Sequence, residues 1–181
     1  LMLLVTGGSL GARHLNQAVS AMKADLLAIP GLYIVHVTGP KEIGTVKADL
    51  ALAPEEAERW KVYGYTDQMG RAMAAADAIV SRAGASSLAE ISARALPALL
   101  VPFPYATEDH QTTNARSAVE AGCAFMVADA DVEGDEFKRL LLQLVQDANL
   151  RARMSEAARA QKTADAAEAL ADIVLAQVSR G

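Results

Sequence analysis

The sequence predicts an α/β fold built on a doubly wound parallel sheet. Six short apolar runs with strand character are spread along the chain. Between them lie stretches with helical spacing, roughly 10–15 residues long, and that alternation is the signature of parallel βαβ units. The composition supplies the third observation. With 52% hydrophobic and 22% charged residues over 181 positions, the chain can bury a large core and is not disordered.

The elements follow in order. "LMLLVTGG" reads as a buried strand ended by glycines. "ARHLNQAVSAMKADLLAI" places Leu15, Val19, Met22 and Leu26 at helical spacing, and Pro30-Gly31 stops it. "LYIVHVTG" is the second strand. Residues 41–59 predict a helix broken near Pro54. "WKVYGY" is the third strand, and "TDQMGRAMAAA" a helix capped by Thr66 or Asp67. "DAIVS" and "SSLAEISARAL" form the next strand and helix. "PALLVPFP" is the fifth strand, followed by the polar loop "YATEDH". "QTTNARSAVEAG" is a helix closed by Gly122, and "CAFMV" the sixth strand. Two or three helices finish the chain, with starts near Asp131, Asn149 and Thr163. The last has apolar positions at Ala166, Leu170, Ile173, Val174 and Val178, a face expected to pack partly against another domain.

Charge and composition narrow the partners. The net charge of −5 and the absence of a basic tract argue against nucleic acid. The single Cys123 leaves no internal disulfide framework and no Cys-rich zinc site, which suits a reducing, cytoplasmic setting. It sits in "CAFMVA" and reads as a small core residue. No run approaches the ~18 apolar residues of a membrane span, and no signal peptide is seen. The chain opens on Leu1, inside a strand. It is therefore expected to be an excised single domain, 1–181, with a partner domain upstream.

In a doubly wound sheet, ligands bind beyond the carboxyl ends of the strands. "VTGGSLGAR" offers Gly7, Gly8, Ser9 and Gly11, either a tight turn or a backbone cradle for phosphate. "SRAGASSLAE" reads two ways. Ser87 and Glu90 match a capping box. The same helix start, Ala85-Ser86-Ser87, can hold an anion, with Glu90 one turn on, within reach of two ribose hydroxyls. Arg82 is either a phosphate partner or a surface charge. In "DHQTTNA", His110 begins a helix on which Gln111 and Asn114 share a face, as sugar-binding amides or as solvated ones beside an Asp109 cap. No nucleophile has an adjacent base. His14 and His36 read as structural. "DAD" at 129–131 is rejected as a metal site because too few oxygen ligands surround it, and Asp131 is expected to cap a helix.

Taken together, "GGSLGARHLN", "SRAGASSLAEISARALPALLVPFP" and "DHQTTNA" resemble the C-terminal half of the MurG family of bacterial transferases, in order and spacing. The resemblance runs from Leu1 to about residue 127 and on toward the end. It implies a Rossmann-like domain, one half of a GT-B glycosyltransferase, that binds UDP-N-acetylglucosamine. The other half would take a lipid-linked muramyl-pentapeptide acceptor and carry the general base, so no catalytic residue is assigned here. The resemblance implies that Ser9 lies on the phosphate side and that the main chain of Tyr65 and Thr66 holds uracil. It places Ala85, Ser86 and Ser87 at the diphosphate, Glu90 at the ribose, and His110, Gln111 and Asn114 at the sugar. It implies inversion without a covalent intermediate, no cofactor, no protein-bound metal, and a site at the inner face of the cell membrane. Two alternatives stand beside it: the donor domain of another GT-B UDP-sugar transferase, and a non-catalytic sugar-nucleotide module.

Overall fold

Alternation along each strand decides which face of the sheet a side chain serves. In the computed structural model, which describes residues 1–7, 13–105 and 110–161, β1 (Met2–Thr6) sends Leu3 and Val5 into one core and Leu4 into the other. β2 (Tyr33–Val37), β3 (Trp60–Tyr63), β4 (Ala78–Ser81), β5 (Ala98–Leu100) and β6 (Ala124–Met126) complete a sheet of order β3-β2-β1-β4-β5-β6. Every pairing is parallel, with Leu4 opposite Val35 on one side and Ile79 on the other. The strand order reverses between β1 and β4, so the crossovers leave a crevice at their carboxyl ends.

Helices cover both faces. α1 (Arg13–Ala21), α2 (Lys23–Leu27), α3 (Ile43–Leu50), α8 (Asp135–Gln146) and α9 (Ala148–Gln161) contribute Leu15, Leu26, Leu50, Phe137, Leu141 and Met154 to the core beside Leu3, Val5 and Val80. α5 (Met69–Ala75), α6 (Ala85–Ala93) and α7 (His110–Glu120) cover the opposite face, where Met73, Ile91 and Ala115 meet Leu4, Ile79 and Leu100. α4 (Pro54–Arg59) leads into β3, where Trp60 is fully buried. None of the described helices is long and apolar enough to cross a membrane.

Several boundaries differ from the sequence reading, each for a local reason. The first helix divides at Met22, whose N–H bonds the Val19 carbonyl at 3.1 Å in a tighter turn. α5 begins at Met69 after Gln68, not after Thr66 or Asp67; Thr66 instead accepts the Gln68 N–H at 3.0 Å in a local turn. α8 starts after Gly134, and Asp131 sits in a 3₁₀ turn (Asp129–Asp131) rather than at a cap. The Asp147 carboxylate caps α9, accepting the Leu150 N–H at 2.8 Å. α7 ends as expected, with Gly122 at φ +74°, a conformation glycine adopts without strain. Cys123 is half-buried rather than core; its thiol meets the Ala118 carbonyl at 3.1 Å, and burial pushes its pKa up. The helix expected from Thr163, and the residue Ser9, lie outside the described residues.

Candidate functional site

The site begins with the way β4 hands over to α6. Gly84 is extended (φ −64°, ψ 144°) and its carbonyl accepts the Leu88 N–H at 2.9 Å. That makes Gly84 the cap residue and Ala85, Ser86 and Ser87 the first three helical positions. Their N–H groups have no intrahelical acceptor, and among the described residues no side chain caps this end. The expected capping box is therefore absent: Ser87 stands three residues too far into the helix to cap it. Ala85 and Ser86 are exposed, and Ser87 is half-buried. Glu90 is exposed one turn on, free of any capping duty. The positive dipole end of α6 thus opens beside the β1–β4 crevice, an arrangement that favours an anion.

α7 latches this turn from the side. The Gln111 carbonyl oxygen accepts the Ala83 N–H at 3.1 Å and the Phe103 N–H at 3.0 Å. Asn114 donates its amide N–H to the Ala83 carbonyl at 3.4 Å. Two backbone donors fill both lone pairs of the Gln111 oxygen, so this buried residue retains only its amide N–H₂ for a ligand. That group lies near Gly84; a Cβ there would sit 3.9 Å from it. His110 opens α7 and is exposed.

Arg82 is neither a surface charge nor a phosphate partner on display, and here the sequence reading is corrected. It is 5% exposed. Its guanidinium pairs with Asp129 and donates to the carbonyls of Val101 at 3.3 Å and Pro102 at 3.4 Å. It also lies 5.4 Å from the centre of the Phe103 ring, which in turn meets Tyr105 edge-on at 5.7 Å. A single cation thereby ties the loop after β4 to those after β5 and β6. The other Asp129 oxygen faces His14 Nδ1 at 3.0 Å, and His14 Nε2 lies 3.5 Å from Glu133. The hydrogen bond to Asp129 raises the His14 pKa against a smaller opposing effect of burial, with Glu133 adding to the rise. Burial works against ionising Asp129, yet the bonds from His14 and Arg82 outweigh it and hold its carboxyl below the usual range.

The far side of the crevice is neutral. His36, fully buried, meets Asn16 Oδ1 through Nε2 at 3.0 Å, and Asn16 donates to the Thr38 carbonyl at 3.0 Å. Thr38 then ties β2 to β3, its N–H and hydroxyl both reaching the Tyr63 carbonyl at 2.9 and 3.2 Å. Tyr65 follows at 75% exposure, with Thr66 beside it in the turn already described.

Six of the sequence-derived residues are thus gathered at one point: Ala85, Ser86 and Ser87, with Glu90 one turn on and Gln111 and Asn114 alongside. Tyr65 and Thr66 stand apart, beyond the edge strand β3. Arg82 and Asp129 were missed as a pair. The one available signal was a charge placed directly after the apolar run "AIVS". Among the described residues, no group of three or more His, Cys, Asp or Glu is placed to hold a metal ion.

Comparison with known proteins gives the family and the fold. A transferase from Salinibacter ruber, named UDP-N-acetylglucosamine--N-acetylmuramyl-(pentapeptide) pyrophosphoryl-undecaprenol N-acetylglucosamine transferase, is 43% identical over 99% of this chain and 47% of its own length. A protein of the same name from Halothermothrix orenii is 38% identical over 87% of this chain and 43% of its own. This chain therefore spans about half the length of the curated relatives it matches. The crystal structure of Acinetobacter baumannii MurG superposes with a TM-score of 0.80 at 28% identity, over 97% of this chain and 52% of that one. A calicheamicin glycosyltransferase shares the fold at 20% identity and a TM-score of 0.67, over 99% of this chain and 43% of that one. The model of the glycosyltransferase family 28 C-terminal domain matches residues 2–170, and the chain belongs to that family.

Proposed function

We propose that this chain binds UDP-N-acetylglucosamine as the donor half of an inverting N-acetylglucosaminyltransferase that converts lipid I to lipid II in peptidoglycan synthesis. The observation that carries the reading is the uncapped start of α6 at the β1–β4 crevice, with Glu90 exposed one turn further on. The relatives, named for this donor and a muramyl-pentapeptide acceptor, support it.

In this reading the diphosphate lies against the N–H groups of Ala85, Ser86 and Ser87, with Ser9 on its other side. The Glu90 carboxylate accepts hydrogen bonds from the ribose hydroxyls. The backbone of Tyr65 and Thr66 borders the uracil. The Gln111 amide, Asn114 and His110 line the sugar. An acceptor hydroxyl attacks the anomeric carbon as its bond to the diphosphate breaks, with inversion, and UDP departs. The helix end stabilises the charge that grows on the leaving phosphate. The general base and the lipid-linked acceptor belong to the half that precedes this domain in its relatives, at the inner face of the membrane.

Calorimetric titration tests the reading. Binding of UDP-N-acetylglucosamine in preference to UDP-glucose and ADP-glucose is the expected result. Equal binding of both UDP-sugars would point to a different transferase on the same fold. Absence of binding to all three would overturn the donor site.

A further inference from the structure

We propose that Asp129 is a positioning residue for the donor crevice, fixing its two walls through Arg82 on one side and His14 on the other. The inference rests on the donor reading above. The crevice opens between β1 and β4. His14 sits in the first turn of α1, just after the loop that follows β1. Arg82 sits between β4 and the open start of α6. These two segments belong to different crossovers and have no shared strand or helix. Asp129, from a third loop beyond β6, engages both, one oxygen each.

Arg82 suits the role because it is immobilised. It is 5% exposed, held by two backbone carbonyls and stacked on Phe103. Only Ala83 separates it from Gly84, and the donors of α6 begin at the next residue, Ala85. Moving Asp129 would therefore shift the anion site, although the described partners of Asp129 are His14 and Arg82 rather than Ala85, Ser86 or Ser87.

The same cluster links donor affinity to pH. Asp129 and Glu133 are the ionised groups facing His14, with Arg82 behind Asp129, and residues 8–12 carry no ionisable side chain. With His14 protonated, the charges of Arg82, His14, Asp129 and Glu133 cancel; with His14 neutral they sum to −1. A negative cluster beside the crevice repels a diphosphate. His14 charges more readily than an ordinary histidine, so the change falls at and above the usual histidine range.

Calorimetry with UDP-N-acetylglucosamine, whose esterified diphosphate keeps its charge over this range, tests the inference. Wild-type affinity is expected to fall about fivefold between about pH 6 and about pH 8.5, and His14→Gln to flatten the profile. Asp129→Asn removes a negative charge, so charge alone would tighten binding; lost positioning weakens it, here by about tenfold. A His14→Gln variant that keeps the wild-type slope, or an Asp129→Asn variant that binds as well as wild type, overturns the proposal while leaving the donor site standing. If Asp129→Asn fails to fold, the His14→Gln profile decides alone. Wild-type protein that binds no nucleotide sugar overturns the donor reading, and this inference with it.

Discussion

Two polar clusters flank β1, and α1 contributes to both. His14 reaches Asp129 on the side of β4–β6, while Asn16 reaches His36 and Thr38 on the side of β2–β3. The first cluster is ionic. The second is neutral, and burial pushes the His36 pKa down to about 4. Burial alone does not explain the difference, because Arg82 is nearly as buried as His36. The neighbours do. Asp129 has Arg82 at one oxygen and His14 at the other, whereas the only hydrogen-bond partner of His36 among the described residues is an amide whose own N–H₂ already serves the Thr38 carbonyl. That geometry leaves the Asn16 oxygen as an acceptor, so His36 carries its proton on Nε2. Its Nδ1 is buried with no partner among the described residues, and a second proton there would go unbonded. The ionic cluster borders the anion site; the neutral one braces two strand ends.

Breaking the ionic cluster has the largest expected effect. Arg82→Met strips the partly buried Asp129 carboxylate of one of its two partners and frees the carbonyls of Val101 and Pro102. Removing one partner of a buried pair typically costs about 3–5 kcal/mol, and urea denaturation at neutral pH should register that loss. A loss below about 1 kcal/mol would mean that the pair behaves as an exposed one.

The neutral cluster answers to acid. His36 binds a proton more weakly folded than unfolded, so its contribution to stability is complete above its unfolded pKa near 6.5 and is lost as pH falls toward about 4. The full loss is about 3 kcal/mol. Urea midpoints across that range should fall in the wild type and fall less in His36→Phe, the difference between the two curves isolating this residue. Parallel curves would show that His36 binds its proton equally well in the folded and unfolded protein.

The same contrast explains what was legible in the sequence. Strand alternation, the break at Pro54 and the stop at Gly122 are local signals, and the sheet follows them. Helix starts were harder to read, because the competing candidates differ only in backbone angles. Ser87 with Glu90 has the spacing of a capping box, yet the extended Gly84 begins the helix three positions earlier. The chemistry of the residues around α6 and α7 left two readings for each, and only their resemblance to a family favoured the ligand-binding one. Asp129 was read only as part of "DAD", because its partner Arg82 lies 47 residues away and no periodicity links them.

The latch between α7 and the β4–α6 turn ranks next. Gln111→Ala leaves the N–H groups of Ala83 and Phe103 without their acceptor, which should cost about 2 kcal/mol of stability. Because Ala83 precedes the anion site, donor affinity should fall too. Gln111→Glu keeps an acceptor at the same reach and should recover most of the stability. If it recovers none, the amide N–H₂ rather than the carbonyl oxygen carries the latch.

Glu90 is the smallest effect on the fold and the sharpest on the ligand. It is exposed, it caps nothing, and substitutions at such positions usually stay within about 0.5 kcal/mol of wild-type stability. A carboxylate that accepts ribose hydroxyls contributes through charged hydrogen bonds, so Glu90→Ala should weaken UDP binding by about 1.5 kcal/mol, roughly tenfold. Paired melting and calorimetric measurements on one variant separate the two roles. Lost stability with intact UDP affinity would return Glu90 to a helix-capping role and would require α6 to start later than Gly84 places it. Lost affinity with an unchanged melting point would fix the ribose one turn above the open end of α6.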